Sequence, residues 1–263
     1  MKVADIIEIM EEWAKPYLVD AWDNTGFQIG DLKRDISKIL IALDLDRNIL
    51  DMAIKYNYDM IITHHPTIFK PLKSITSESY KGRLVLDIIK NNIVVYNAHS
   101  NLDMAEEGVS HQLADILGLR DTETLKRVVT QDDNTYGYGR IGMVEHMPLT
   151  EYLNIVKKKL EVDSIIVYGD KDIEINRVAV CGGSGSDFIY DAYASGADIY
   201  ITGDIKYHDA QLGYELGLTI VDAGHFNTEK IVLPAIKKRL DEKLNGEVST
   251  EVIMESSLPM MVY

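Results

Sequence analysis

A single cysteine, Cys181, among 263 residues excludes an internal disulfide framework and fits a reducing compartment. Next to a strand end it reads as a small buried hydrophobe. No stretch approaches eighteen uninterrupted apolar residues, which argues against a membrane-spanning helix. The opening residues MKVADIIEIMEEW also lack the basic segment and long apolar run of a secretory leader. The expectation is a cytoplasmic protein that engages no membrane. Positive charge is scarce as well: 27 basic against 42 acidic side chains leave a formal charge of −15. That balance favours solubility and repels phosphate polyanions at long range, so nucleic-acid binding would require a local basic patch. No low-complexity linker divides the chain. What is abundant is apolar residues, 46% of the total, enough to bury one large core or two smaller ones.

The apolar positions are ordered. Val3, Ile6, Ile7, Ile9, Met10 and Trp13 recur at helical spacing and stop before Pro16. KILIAL (38–43) and DMIIT (59–63) read as strands on either side of a helix over 46–57, a βαβ unit. The unit recurs: an offset of 139 residues lays 39–63 on 178–202 without a gap, with Ala53, Asp59 and Thr63 meeting Ala192, Asp198 and Thr202. A further apolar strand follows each copy, IVVYNA (93–98) and LTIVDA (218–223), and each is followed by polar residues. The recurrence favours an internal duplication over two unrelated βαβ units. Between the copies lie YGYGRIGMVE (136–145), read as a hairpin or edge strand, a helix after Pro148, and a strand at SIIVYG (164–169). The expected fold is α/β, two intertwined and internally duplicated lobes with mixed sheets, approximately 1–125 and 126–263.

Four polar groups follow predicted strands, where α/β proteins place their sites: HHP (64–66), HSNLD (99–103), GDIKYH (203–208) and GHFNTE (224–229). Two come from each half, so a pseudo-twofold arrangement would gather them at the lobe interface. In an extended segment His64 and His65 point to opposite sides, and Pro66 keeps His65 extended. Two such imidazoles suit two ions better than one. His225 and Glu229 share a face if a helix starts near Phe226, and Asp103 adds a carboxylate. Three imidazoles and two carboxylates fit a pair of divalent ions of the zinc, iron(II) or manganese kind rather than calcium. Each residue also has a plainer reading: Asp103 as the cap of the helix carrying GVSHQLADILGL, Glu229 as a first-turn helix acid. His99 and His208 each follow a strand and are candidate second partners or proton carriers, whereas His111 and His146 are assigned to structure or solvent. WDNTGFQIG (22–30) reads as an Asn/Gly turn. CGGSGSD (181–187) places glycines where a phosphate could sit, but it matches neither GxGxxG nor GxxxxGK.

WDNTGFQIG, THHP, NAHSNLD, TGDIKYHDA and DAGHFNTEK, in this order and at these separations, resemble the GTP cyclohydrolase 1 type 2-like family, also called the Nif-three-like family. The resemblance spans nearly the whole chain and is weakest over 121–175. It implies a fold of two intertwined α/β repeats and a dinuclear metal centre with ligands at His64, His65, Asp103, His225 and Glu229. In the family pattern the glutamate bridges both ions, His65 and Asp103 serve one, and His64 and His225 the other. Ser100 stands where threonine is often found and keeps the hydroxyl. The resemblance also implies a ring-shaped homohexamer.

The leading functional expectation is a metal-dependent hydrolase of a nucleotide or related small molecule, with GTP cyclohydrolase-like chemistry as the named candidate and His99 or His208 moving a proton. The alternative is a non-catalytic metalloprotein that binds a protein or nucleic-acid partner, using a basic lining from residues such as Lys70, Lys73 and Lys81. A third reading is metal storage or delivery. A shared metal site does not fix the reaction.

Overall fold

The computed structural model describes residues 1–131, 134–256 and 258. In chain order its first elements are α1 (Val3–Trp13), β1 (Gly26–Ile29), β2 (Lys38–Ala42), α2 (Arg47–Lys55), β3 (Met60–Thr63), α3 (Tyr80–Lys90) and β4 (Val94–Asn97). There follow α4 (Ser100–Met104), α5 (Val109–Ile116), β5 (Arg120–Gln131), β6 (Asn134–Pro148), α6 (Leu149–Leu160), β7 (Ile166–Tyr168) and β8 (Glu174–Ser184). The last are α7 (Ile189–Ala194), β9 (Ile199–Gly203), α8 (Tyr207–Leu216), β10 (Thr219–Asp222), α9 (His225–Glu229), α10 (Leu233–Leu244) and β11 (Ser249–Val252). Over the described residues they form two compact units: Met1–Leu102 joined by residues 233–256 and 258, and Asp103–Val232. The first unit is therefore built from two separated segments, and its main boundary falls at 102/103 rather than near 125. The physical reason is pairing: β5, which begins at Arg120, is antiparallel to β6 and belongs wholly to the second sheet.

The first unit holds a five-stranded sheet in the order β1-β4-β3-β2-β11. Strands β11, β2, β3 and β4 run parallel, and β1 closes the edge antiparallel to β4. Strands β3 and β4 are buried along their whole length, which is why they read as unbroken apolar runs rather than alternating ones. The helices are started by side chains: Asp46 accepts from the Ile49 amide at the head of α2, and Ser79 from the Gly82 amide at the head of α3. One core cluster joins Leu40, Ile49, Leu50, Ile61, Leu84, Ile88 and Val95, each nearly or fully buried. Each such side chain contributes about 1.5–3 kcal/mol by leaving water.

The second unit holds a six-stranded sheet in the order β5-β6-β8-β9-β10-β7. Its centre, β8-β9-β10, is parallel, with β7 antiparallel to β10 and the long β5–β6 ribbon antiparallel beyond β8. Both sheets thus share a core of three parallel strands, β2-β3-β4 and β8-β9-β10, with one antiparallel edge strand beyond the third, and β11 adds a fourth parallel strand to the first sheet. The registers agree residue by residue: Ile39 pairs with Met60 as Val178 pairs with Ile199, the same 139-residue offset. A polar latch recurs at that offset too. Asp59 accepts from the amides of Ser37 and Lys38, and Asp198 from those of Asn176 and Arg177. The duplication expected from sequence is present in the backbone. Among the described residues no helix is long and apolar enough to cross a membrane.

Candidate metal centre

Strand β3 delivers Thr63 buried at its end, and the chain then bends through His64 and His65 before Pro66. The bend overturns the expectation that neighbouring imidazoles face opposite ways, because strand alternation has already ended at Thr63. The two ring centroids lie 5.1 Å apart, and His99, placed just past β4, lies 5.2 Å from His64 and 5.6 Å from His65. The three offer ligand atoms within 4.8 Å of one another. Each ring is oriented through Nδ1: His64 to the Ala98 carbonyl at 2.8 Å, His65 to Asp44 Oδ1 at 2.8 Å, His99 to Asp23 Oδ1 at 2.9 Å. The Asp23 side chain is wholly buried and also accepts from the Ser100 amide and hydroxyl and the Thr25 hydroxyl. Burial alone would raise its carboxyl pKa, but bonds from His99, Ser100 and Thr25 outweigh that and hold it far below the ordinary carboxylate range.

In the second unit Gly224, at φ 87°, turns the chain from β10 into the short helix α9. His225 opens that helix and Glu229 ends it. Their side chains meet at 3.0 Å through Nε2 and Oε2, while His225 Nδ1 lies 2.8 Å from Asp204 Oδ2. Glu229 is buried, and its carboxylate and that of half-buried Asp103 offer oxygens within 4.8 Å of each other. Asp103 lies inside α4, and the residue capping α5 is Gly108, so the capping role does not fall to Asp103. Gly183 makes room for the glutamate: at φ +66° it adopts a conformation that favours glycine, and a Cβ there would come within 2.0 Å of Glu229 Oε1. The amides of Gly182, Gly183 and Gly185 donate to the hydroxyls of Ser110, Thr228 and Thr202. These three amides are committed to the fold and are not available to cradle a phosphate.

The donor chemistry fits divalent metal ions. A carbonyl or carboxylate oxygen only accepts, so each Nδ1 carries the proton and each Nε2 of a neutral ring presents a lone pair. His64, His65, His99 and His225 all share this arrangement, the usual second partner of a metal-binding imidazole. At His225 the lone pair on Nε2 would face the Glu229 carboxylate, two Lewis bases at 3.0 Å that a shared cation or a second proton reconciles. Nitrogen and carboxylate donors of this kind suit zinc, iron and manganese.

Other expected residues fall elsewhere. His208 is exposed on the first turn of α8 with its ring edge-on to Tyr207, outside every His/Cys/Asp/Glu grouping of three or more among the described residues. His111 accepts the Glu107 amide near the head of α5, and His146 is exposed on β6. Lys70 and Lys73 are exposed, whereas Lys81 is half-buried and its pKa is lowered by that burial, partly offset by Asp44. Sequence reasoning missed the orienting carboxylates Asp23, Asp44 and Asp204. The available signal was an acid within two residues of a strand end, true of Asp44 after β2 and Asp204 after β9.

A family model for Duf34/NIF3 (NGG1p interacting factor 3) matches residues 1–259. The chain belongs to the Duf34/NIF3 family. It is 36% identical over 260 residues, 98% of each chain, to the GTP cyclohydrolase 1 type 2 homolog of Clostridium perfringens. The protein of the same name from Methanocaldococcus jannaschii is 36% identical over 94% of this chain and 98% of its own. Among solved structures, the Bacillus cereus protein related to NIF3 superposes with a TM-score of 0.94 at 27% identity, over 100% of this chain and 99% of that one. The mixed α/β architecture is thus the Duf34/NIF3 fold.

Proposed function

We propose that His64, His65, Asp103, His225 and Glu229 are the ligands of a dinuclear metal centre. The observation that carries this reading is the common orientation of the imidazoles, each held through Nδ1 by an oxygen acceptor. Zinc, iron(II) or manganese is the metal class.

The reaction proposed is hydrolysis of a nucleotide or related small molecule, with GTP cyclohydrolase-like chemistry as the first candidate, supported by the names of the curated relatives. Two divalent ions bound there would supply Lewis acidity and an acidified water near neutral pH. Asp44 and Asp204 hold the rings of His65 and His225. His99, tied to Asp23, keeps a lone pair on Nε2 and is the favoured proton carrier; exposed His208 is the second candidate.

Protein reloaded with zinc, iron(II) or manganese and offered GTP and a nucleotide panel should turn over substrate, and His64→Ala or Glu229→Ala should abolish it. Absence of turnover with every metal, or turnover indifferent to both substitutions, would favour the non-catalytic metalloprotein instead.

A further inference from the structure

Two large aromatic side chains stand exposed beside the histidines of the first unit without any role in its core. Trp22 is 60% exposed and Phe69 43% exposed. Their ring centroids lie 6.1 Å apart, and both rings approach His99 nearly perpendicularly, at 6.0 Å and 84° for Trp22 and 6.3 Å and 85° for Phe69. Exposed rings of this size gain little from folding, yet the backbone beneath them is tightly fixed. On one side of Trp22 the Asp20 amide donates to Ser100 Oγ at 3.1 Å. On the other, the buried Asp23 carboxylate binds His99 and Ser100. The segment is then clamped to the residue before Phe69: Asn24 Nδ2 and Gln28 Nε2 donate to the Ile68 carbonyl, and the Ile68 amide donates to Gln28 Oε1 at 2.8 Å. The Asn/Gly turn read from the sequence is in fact a brace that fixes both aromatic rings against His99.

We propose that Trp22 and Phe69 form a stacking platform for a planar heteroaromatic ring of the purine class, carried by a small molecule whose reacting portion reaches His99. This rests on the hydrolase reading above and names the residues that hold the base of the substrate, which that reading leaves open. Stacking on an electron-rich indole face is sequence-tolerant and strong enough to hold a base, and a second ring at 58° to the first supplies a side wall rather than a closed sandwich. The preorganised backbone means that no loop has to be ordered when the ligand arrives.

Fluorescence reports the platform directly, because the chain has two tryptophans and the other, Trp13, is 7% exposed with Arg239 over its ring. The full-length protein is titrated with guanosine, GTP, ribose 5-phosphate and a fifteen-base single-stranded oligonucleotide, with and without added zinc, and its metal content is measured separately. Guanosine and GTP should quench Trp22, and ribose 5-phosphate should not. Trp22→Ala and Phe69→Ala should each weaken GTP binding, by about 10- to 100-fold for the tryptophan, while Trp22→Phe stays within a few-fold of wild type. All variants should keep wild-type metal content. No quenching by either guanine compound, or Trp22→Ala binding GTP like wild type, overturns the platform. Trp22-dependent binding of the oligonucleotide that is tighter than that of GTP overturns the small-molecule assignment in favour of a single-stranded nucleic acid. Shielding of Trp22 from acrylamide in the ligand-free protein overturns it in favour of a subunit contact. Retained guanosine stacking in a protein that takes up no metal upholds the platform and removes only the dinuclear reading.

Discussion

At the scale of single residues, the site is shaped as much by a missing side chain as by the donors. Gly183 combines a left-handed φ with a position where a Cβ would strike Glu229 Oε1. Gly183→Ala should therefore cost about 1–3 kcal/mol of backbone strain and displace the glutamate. Urea denaturation would show the lost stability, and dialysis against a metal buffer would show weaker metal retention. The orienting carboxylates predict a different pattern. Asp44→Ala leaves His65 in place but removes its 2.8 Å partner, and metal affinity should fall by about 10- to 100-fold with little change in unfolding midpoint of the metal-free protein. The sequence marks Asp44 and Asp204 only as acids beyond strand ends and does not say which imidazole they hold, because each acts across 21 residues of chain, Asp44 on His65 and Asp204 on His225. The proposed ligands left a local trace, because adjacent histidines after an apolar strand and an i, i+4 histidine–glutamate pair are short-range patterns.

At the scale of elements, the recurrent aspartate latch explains how each βαβ unit fixes its first crossover. Asp59 binds the backbone amides where β2 begins and pairs with Arg34 at 3.0 Å. Burial opposes ionisation of Asp59, but hydrogen bonds from Ser37 and Lys38 and the nearby Arg34 guanidinium hold its carboxyl below the ordinary range. A carboxyl lowered in the folded state stabilises above the unfolded value of about 4, and that stability is lost as the pH falls through and below it. Asp59→Asn should lose about 1–2 kcal/mol at pH 7 in urea titrations. The gap to wild type should narrow as the pH is lowered below about 4, and a constant gap would show that ionisation is irrelevant. Within the same sheet Ile61→Ala, at a fully buried position, should cost about 2–5 kcal/mol. Strands β2–β4 and β8–β10 were evident from sequence because their buried stretches write continuous apolar runs, whereas parallel β11, the half-exposed STEV, left no such run. The β5–β6 ribbon was only half visible: 136–145 reads as a strand, but β5 is mostly exposed and polar, RDTETLKRVVTQ, and leaves little periodic signal.

At the scale of the molecule, the 139-residue repeat predicted two duplicated α/β lobes, and the matched registers of β2–β3 and β8–β9 bear that out. The chain's return to the first unit through α10 and β11 was not visible, because a C-terminal amphipathic helix carries no mark of which sheet it will cover. The family resemblance further predicts a ring-shaped homohexamer, which sedimentation equilibrium would report as six chains; a concentration-independent monomer would contradict it. Chelation should lower the thermal midpoint, and readdition of metal should restore it, since a ligand that binds only the folded state stabilises by mass action. The most direct measurement is the metal content, by plasma mass spectrometry, of protein purified without chelators, alongside His64→Ala and Glu229→Ala. Two divalent ions per chain in the wild type, and fewer in both variants with folding intact, is the predicted result. A protein that takes up no zinc, iron or manganese at saturating concentration, or whose stoichiometry survives both substitutions, would contradict the dinuclear centre.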